Sequence, residues 1–391
     1  MKKAKRLDFL KSAVFAELDR IKNEVSAQGM EIINLGIGSP DRPPAPHVYH
    51  ALQEAIENLG NYGYPSSRGT AELRETIAWW YKHRFDVNLD PDREVLVLMG
   101  SQDGLGHLPL CCLNPGDLAL VPDPGYPVYS AGVILAGGSV YYVPLCRERG
   151  FLPDMEGIPE DIATRARMMI INYPNNPLAV VADKTFFAKV VEFATKYNIL
   201  VCHDHAYSEL AFDGFRSPSF LEVVGAREIG VEFHSVSKTY NMAGCRLGFV
   251  VGNEEAIEAL ERVKSNIDYG VFLPVQKAGI AALRGPQEII EQNISAYSAR
   301  RDLLIDGLAK IGWKVDKPQA TMFIWASLPK DYASSEKFAA EVLRKTGVVM
   351  VPGTAFGKQG EGYVRIALVQ DEKIIKKALK RLEEKFRFGG L

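Results

Sequence analysis

Apolar positions along the chain alternate between two periods. From about residue 70, stretches with apolar side chains three and four apart give way to short continuous apolar runs, and the exchange repeats through residue 252. TAELRETIAWWYKHRF (70–85) predicts a helix, with Glu72 and Glu75 in its first turn and Lys82 and Arg84 in its last, where each sign suits the helix dipole. KTFFAKVVEFATKYN (184–198) predicts another. The runs VLVLMG (95–100), LALVPDP (118–124), VYYVPL (140–145), MMIINYP (168–174), ILVCHD (199–204), VEFHSV (231–236) and RLGFVVG (246–252) predict seven strands. Strands alternating with helices imply βαβ units, so the expected class is α/β with a mostly parallel sheet covered on both faces.

Both ends of the chain depart from this rhythm. EIIEQNISAYSARRDLLIDGLAKIG (288–312) predicts a long charged helix. It precedes three spaced strand signals, MFIWASL (322–328), VVMVPG (348–353) and YVRIALV (363–369), with helical patterns at 335–345 and 371–387. That arrangement predicts a smaller α+β domain. Near the start, Phe9, Leu10, Ala13, Val14, Leu18 and Ile21 recur at helical spacing with charges between them, an amphipathic helix expected to pack on its own chain or on a partner subunit. The expected division is an N-terminal segment (1–45) packing with the small domain and the partner, a large domain (46–286) and a small domain (287–391). No internal repeat or low-complexity tract interrupts it.

Composition narrows the class. Of 391 residues, 47% are hydrophobic and 24% charged, as in a soluble globular chain with a sizeable core. A net charge of -2 argues against nucleic acid or an anionic membrane as the main partner. The basic start MKKAKR is not followed by an apolar stretch of signal-peptide length, and no stretch approaches membrane-spanning length. The 5 cysteines include no C-x-x-C pair and read as reduced, mostly buried thiols of a cytoplasmic protein.

Candidate chemistry gathers after the strand signals: GSQDG after 95–99, NYPNNP after 168–171, DHAY after 199–203 and SVSK after 231–234. In a parallel sheet these strand ends meet at one site. Lys238 follows an apolar strand with Arg246 near in sequence, and a lysine amine becomes nucleophilic when burial or a neighbouring cation lowers its pKa. Asp204 ends a run expected to be buried, and a buried carboxylate needs a partner such as a protonated heteroaromatic nitrogen or a metal. His203 and His205 flank it, but successive strand residues face opposite sides and no further Cys/His cluster completes a set, so no metal is expected. Gly100, Ser101 and Gln102 lie between a strand and a helix start, an anion-binding arrangement without the P-loop ending. Asn176 offers a hydrogen bond to a phenolic oxygen and Tyr126 a flat face over a ring. Arg365, in an otherwise apolar strand, seeks a carboxylate. A reactive lysine, a carboxylate for a ring nitrogen, a phosphate cradle, a stacking aromatic and a carboxylate clamp are what pyridoxal phosphate (PLP) chemistry on amino acids requires.

The motifs NLGIGSPD, YGYPSSRG, GSQDG, PDPGYPVY, NYPNNP, HDHAY, SVSKTYNMAGCRLGF and YVRIAL make the chain resemble class I/II aminotransferases of PLP fold type I over almost its full length. The resemblance implies that Lys238 bonds the cofactor and moves the substrate proton, and that Asp204 keeps the pyridine nitrogen protonated. It implies that Asn176 and Tyr207 bond the ring oxygen and that Tyr126 stacks on the ring. Gly100, Ser101, Gln102, Ser235, Ser237 and Arg246 would surround the phosphate, with Tyr64 reaching it from the other subunit of a homodimer. Arg365, assisted by the backbone near Gly38, would clamp the substrate α-carboxylate. Several motifs are most similar to bacterial LL-diaminopimelate aminotransferases. DYGVFLPVQ (268–276), including Tyr269, is more similar to glutamate–pyruvate (alanine) aminotransferases, and Gln102 and Leu178-Ala179 depart from the diaminopimelate pattern. The expected activity is transfer of an amino group from an L-amino acid to 2-oxoglutarate or pyruvate, with LL-diaminopimelate and 2-oxoglutarate as the best-matched pair. Alanine or aspartate transamination and a carbon–sulfur lyase on the same scaffold are the alternatives. Arg68 and Lys264 are candidates by location for a distal substrate carboxylate, with a structural role for each as the plainer expectation.

Overall fold

The computed structural model describes residues 3–10 and 13–388. Among them, twelve strands run in chain order as β1 (Ile33–Asn34), β2 (Val95–Leu98), β3 (Leu118–Asp123), β4 (Ser139–Pro144), β5 (Ala166–Asn172), β6 (Leu200–Asp204), β7 (Gly230–Ser235), β8 (Gly248–Gly252), β9 (Phe323–Ser327), β10 (Val348–Val349), β11 (Val351–Pro352) and β12 (Tyr363–Ala367). The large sheet has the order β2-β8-β7-β6-β5-β3-β4. Only β8 runs antiparallel to its neighbours. All seven strands anticipated from the apolar runs are present, and the class is α/β as expected.

Alternation along each strand splits the core into two layers. Val95 and Val97 join Trp80, Tyr81, Phe187 and Phe249 on one face of the sheet. Leu96 and Leu98 join Leu105, Leu108, Tyr129 and Ile257 on the other. Because both faces are covered, β2, β3, β7 and β8 are buried along their whole length. The shared direction of β2, β5, β6 and β7 delivers their carboxyl ends to one edge, where β8 begins.

The helices follow the periodic pattern closely. Ala71–Phe85 is capped by Thr70, whose side chain accepts from the Leu73 amide, and Lys184–Tyr197 is capped by Asp183. Strand β8 starts at Gly248 rather than at Arg246, because Arg246 adopts a left-handed conformation (φ 53) that turns it out of the ladder.

A second sheet, β11-β12-β9, is antiparallel. The run VVMVPG does not form one strand. Val348–Val349 pair in parallel with β1, and Val351–Pro352 pair with β12, so the turn of direction at Met350 ties the N-terminal segment to this sheet. Leu18, Ile33 and Leu35 accordingly share a cluster with Phe323, Ile324, Phe338 and Ile366. The single amphipathic helix expected from Phe9 onward is interrupted. Lys5–Phe9 forms a 3-10 turn and the α-helix runs Ala13–Ala27, with Lys11 and Ser12 outside the described residues. The cysteines are unpaired, but only Cys202 is buried and the other four are half-buried, fewer buried than expected. No helix among the described residues is long and apolar enough to cross a membrane.

Beneath the strand ends lies a polar network that the sequence pattern does not reveal. Glu232, on β7, is fully buried. Its carboxylate accepts from Tyr81 Oη (2.7 Å), Ser219 Oγ (2.7 Å) and the Phe220 amide (2.7 Å). Ring nitrogens of His203, His205 and His234 stand 2.8, 3.1 and 3.0 Å from it. Burial opposes ionisation of Glu232, yet the surrounding imidazoles hold its carboxyl well below the ordinary range. Burial keeps His205 neutral, its pKa lowered to about 3. His203 and His205 thus share one face, as strand alternation requires, and they face Glu232. Leaving a buried donor without its acceptor costs about 1–3 kcal/mol, and the Glu232 carboxylate satisfies several. Glu232→Leu should therefore lower the denaturant midpoint of unfolding by a corresponding amount, whereas Glu31→Leu, at a surface ion pair, should barely move it.

Candidate active site

Four strand ends and the following turns line one cavity of about 830 Å³. Its wall includes Gly38, Ser101, Gln102, Asn176, Asp204, Tyr207, Ser235, Ser237, Lys238, Arg246 and Arg365, with Tyr126 beside Gln102. Of the residues singled out from the sequence, Gly100 lies just behind the wall and Tyr64 lies away from it.

Lys238 sits in the short helix Val236–Thr239 that continues β7. Ser235 starts that turn, its Oγ accepting from the Ser237 amide at 3.2 Å. The Lys238 amine donates to the Gly38 carbonyl at 2.9 Å. Burial, then the nearby Arg365 and Arg246 guanidiniums, lower its pKa to about 8. These are the two causes anticipated for a reactive lysine.

Asp204 closes β6 with its carboxylate in the cavity floor. Tyr129 donates to its Oδ2 at 2.7 Å and the Ala206 amide to its Oδ1 at 3.2 Å. Burial raises the Asp204 pKa against those donors. Ionising this carboxylate fully calls for a cation in the cavity. Tyr129 was not among the expected site residues; it ends the motif PDPGYPVY, and only the fold brings its hydroxyl to Asp204 from the helix Val128–Leu135, which packs on β3 and β4.

The anion-binding end is built by a close approach. Gly100 has φ +83, and a Cβ there would meet Arg246 Nη2 at 2.5 Å, so only glycine leaves room for the guanidinium beside the start of helix Ser101–Cys112. The left-handed Arg246 is the other half of that approach. Tyr126 donates to Gln102 Oε1 at 3.0 Å, and its ring stands 5.9 Å from that of Tyr129.

Arg365, on β12, is buried. Its Nη1 donates to Asn176 Oδ1 and its Nη2 to the Gly36 carbonyl, each at 2.8 Å. Phe323 and Phe356 flank the guanidinium, with centroids 4.2 and 4.6 Å from Cζ. Its Nε has no partner among the described residues, and burial lowers its pKa to about 10. Tyr207 is buried beside Phe323, 6.0 Å between ring centroids.

Two further candidates are structural. Arg68 pairs with Glu261 at 2.8 Å, and Lys264, fully buried, pairs with Asp268 at 2.8 Å. Neither lines the cavity. Tyr64 is 94% exposed and touches Tyr269, ring centroids 5.7 Å apart.

Comparison with known proteins fits this geometry. Residues 30–382 match the family described as aminotransferase class I and II. The chain belongs to that family. This aminotransferase is 53% identical over 379 residues to the LL-diaminopimelate aminotransferase of Desulforudis audaxviator, covering 97% of this chain and 96% of the relative. It is 50% identical to the enzyme of the same name from Moorella thermoacetica, covering 98% of each. Among solved structures, apo-BacF from Bacillus subtilis superposes with a TM-score of 0.96 at 38% identity, covering 100% of each chain. The family acts on amino acids and oxoacids and depends on PLP.

A primary amine attacks a carbonyl only when neutral. With its pKa lowered to about 8, Lys238 is mostly protonated below that pH and mostly neutral above it. The rate at which apoenzyme takes up PLP covalently should therefore rise with pH, reach half its limit near pH 8 and level off above, read by the change in cofactor absorption.

Proposed function

We propose that this aminotransferase transfers an amino group from LL-diaminopimelate to 2-oxoglutarate, as a cytoplasmic homodimeric enzyme of lysine biosynthesis. The observation that carries the substrate reading is the 53% identity to an enzyme of that name over 97% of the chain.

The residues present fit PLP. The cavity offers a buried carboxylate whose ionisation awaits a cationic partner, as a protonated pyridine nitrogen is, and a glycine-floored pocket holding Arg246 at a helix start, as a phosphate needs. When bound, PLP supplies an electron sink for the pair left at the substrate Cα. Asp204, oriented by Tyr129, would hold the ring nitrogen protonated. Gly100, Ser101, Gln102, Ser235, Ser237 and Arg246 would hold the phosphate. Asn176 and Tyr207 would bond the ring oxygen, and Tyr126 would cover the ring face. Arg365, with Asn176 and the backbone at Gly38 beside it, seats the α-carboxylate. The neutral Lys238 amine would take the proton from the substrate Cα and deliver it to the cofactor carbon that keeps the transferred nitrogen.

The dimer reading has physical support. Leu59, Tyr62, Tyr64, Tyr269 and Phe272 form an exposed apolar face whose rings touch, Tyr62 to Phe272 at 5.5 Å and Tyr64 to Tyr269 at 5.7 Å. Faces of this kind mark subunit contacts. The resemblance would have Tyr64, on this face, reach the phosphate pocket of a second copy. The proposed division into segments 1–45, 46–286 and 287–391 draws on the shared cluster of Leu18, Ile33 and Leu35 with the second sheet.

Titration of the PLP-loaded enzyme with single amino donors, without oxoacid, tests the reading. LL-diaminopimelate and glutamate should each convert the cofactor to its amine form. Conversion by alanine or aspartate instead would replace the substrate assignment, and pyruvate release from cysteine or cystathionine would favour a lyase. Lys238→Ala should slow the half-reaction by about 10²–10⁴-fold or more. Arg365→Lys keeps the charge but loses the planar fork, and should lower kcat/KM by about 10–100-fold. Sedimentation should find a dimer at micromolar concentration.

A further inference from the structure

We infer that Asp19 and Lys22, on the N-terminal helix, form the subsite that holds the non-reacting end of the substrate. This inference rests on the diaminopimelate reading above.

Elimination over the charged side chains leads there. Among the described residues, six charged ones line the cavity: Asp19, Lys22, Asp204, Lys238, Arg246 and Arg365. The last four belong to the cofactor and the α-carboxylate. The remaining two are one acid and one base. LL-diaminopimelate ends, away from the reacting carbon, in a second amino acid group carrying one ammonium and one carboxylate. The pair supplies one partner of opposite sign for each.

Their placement suits the task. In helix Ala13–Ala27, Phe15, Asp19 and Lys22 follow one another at i, i+4 and i+7, along one face. That face looks into the cavity. Ile21 and Val25 are buried and pack on Leu343 and Val349. Arg20 instead pairs with Glu17 and Glu24, none of which lines the cavity. The row connects to the chemical end through aromatic rings. Phe15 meets Phe356 edge-on at 6.4 Å, and Phe356 stands 4.6 Å from the Arg365 guanidinium. One cavity thus joins Arg365 to Asp19 and Lys22, and the far end of a long diacid clamped at Arg365 can reach this helix within it.

Without ligand, Lys22 Nζ donates to Asp19 Oδ1, with side chains 31% and 66% exposed. A solvated pair of this type contributes little to the helix, so a ligand that inserts between its members and bonds both loses little. Glutamate and 2-oxoglutarate end in a carboxylate alone. Lys22 serves them and the diaminopimelate carboxylate alike, whereas Asp19 serves only the second ammonium. One subsite thereby accepts both substrates of the exchange.

The test compares LL-diaminopimelate with L-2-aminopimelate, the same carbon chain without the second amino group, in half-reactions of the PLP-loaded enzyme. The wild type should favour LL-diaminopimelate. In Asp19→Asn the ratio of the two kcat/KM values should fall at least tenfold, mostly through the diaminopimelate value. Lys22→Met should lower kcat/KM at least tenfold for both compounds and for glutamate. A purely structural role for the helix would move all donors together and leave the ratio unchanged, as would recognition of the far end by the partner subunit; either outcome overturns the inference and leaves the functional reading standing. A wild type that does not turn over LL-diaminopimelate overturns both.

Discussion

Apart from Asp19 and Lys22 on the N-terminal helix, the charged groups that line the cavity among the described residues are three cations and one carboxylate. Lys238, Arg246 and Arg365 converge on Asp204, and the repulsion among them is the constraint around which the site is organised. Burial first, and then that repulsion, lowers the Lys238 amine to about 8, where the neutral form is populated near neutral pH. Burial likewise lowers Arg365, which stays charged. The same excess of positive charge demands anions, and a phosphate ester and an amino acid carboxylate are the anions this family brings.

Holding like charges together requires a rigid frame, and the large sheet provides it. Parallel strands bring their carboxyl ends to one edge, so residues far apart in sequence meet without long loops. The frame is reinforced from beneath. Glu232 gathers His203, His205, His234, Tyr81 and Ser219 around one buried carboxylate, directly behind the strand end that carries Asp204. A fully satisfied buried network of this kind fixes side-chain positions more firmly than apolar packing does. Arg365 reaches the cavity from the other sheet, so the position of that sheet against the large one governs where its guanidinium stands in the cavity. The N-terminal helix, tied in through β1 and β10, is held over the same opening.

Much of the site was legible because its residues are tied to local chemistry. Lys238, Asp204, Ser235 and Arg365 each sit in or just after a strand signal, and a buried polar group in such a place has few structural excuses. Gly100 and Arg246 were legible as motif members, but their mutual contact, through two left-handed backbones, was not. Tyr129 ends the motif PDPGYPVY and was missed because nothing around it distinguishes a tyrosine that packs from one that donates to a carboxylate 75 residues away. Glu232 was missed for the same reason, since a carboxylate in an apolar strand has no local signature of its three imidazole partners.

The sequence by itself determined the alternation of strands and helices, the class of sheet, and the residue types at each strand end, because these depend on period and on neighbours within a few positions. Only the tertiary structure decided which strand ends meet, that VVMVPG serves two pairings rather than one, that Arg68 and Lys264 are engaged elsewhere, and that Asp19 and Lys22 face the cavity. Each of those outcomes depends on groups tens or hundreds of residues apart, and the free energy of bringing them together is set by packing of the whole chain rather than by any local preference.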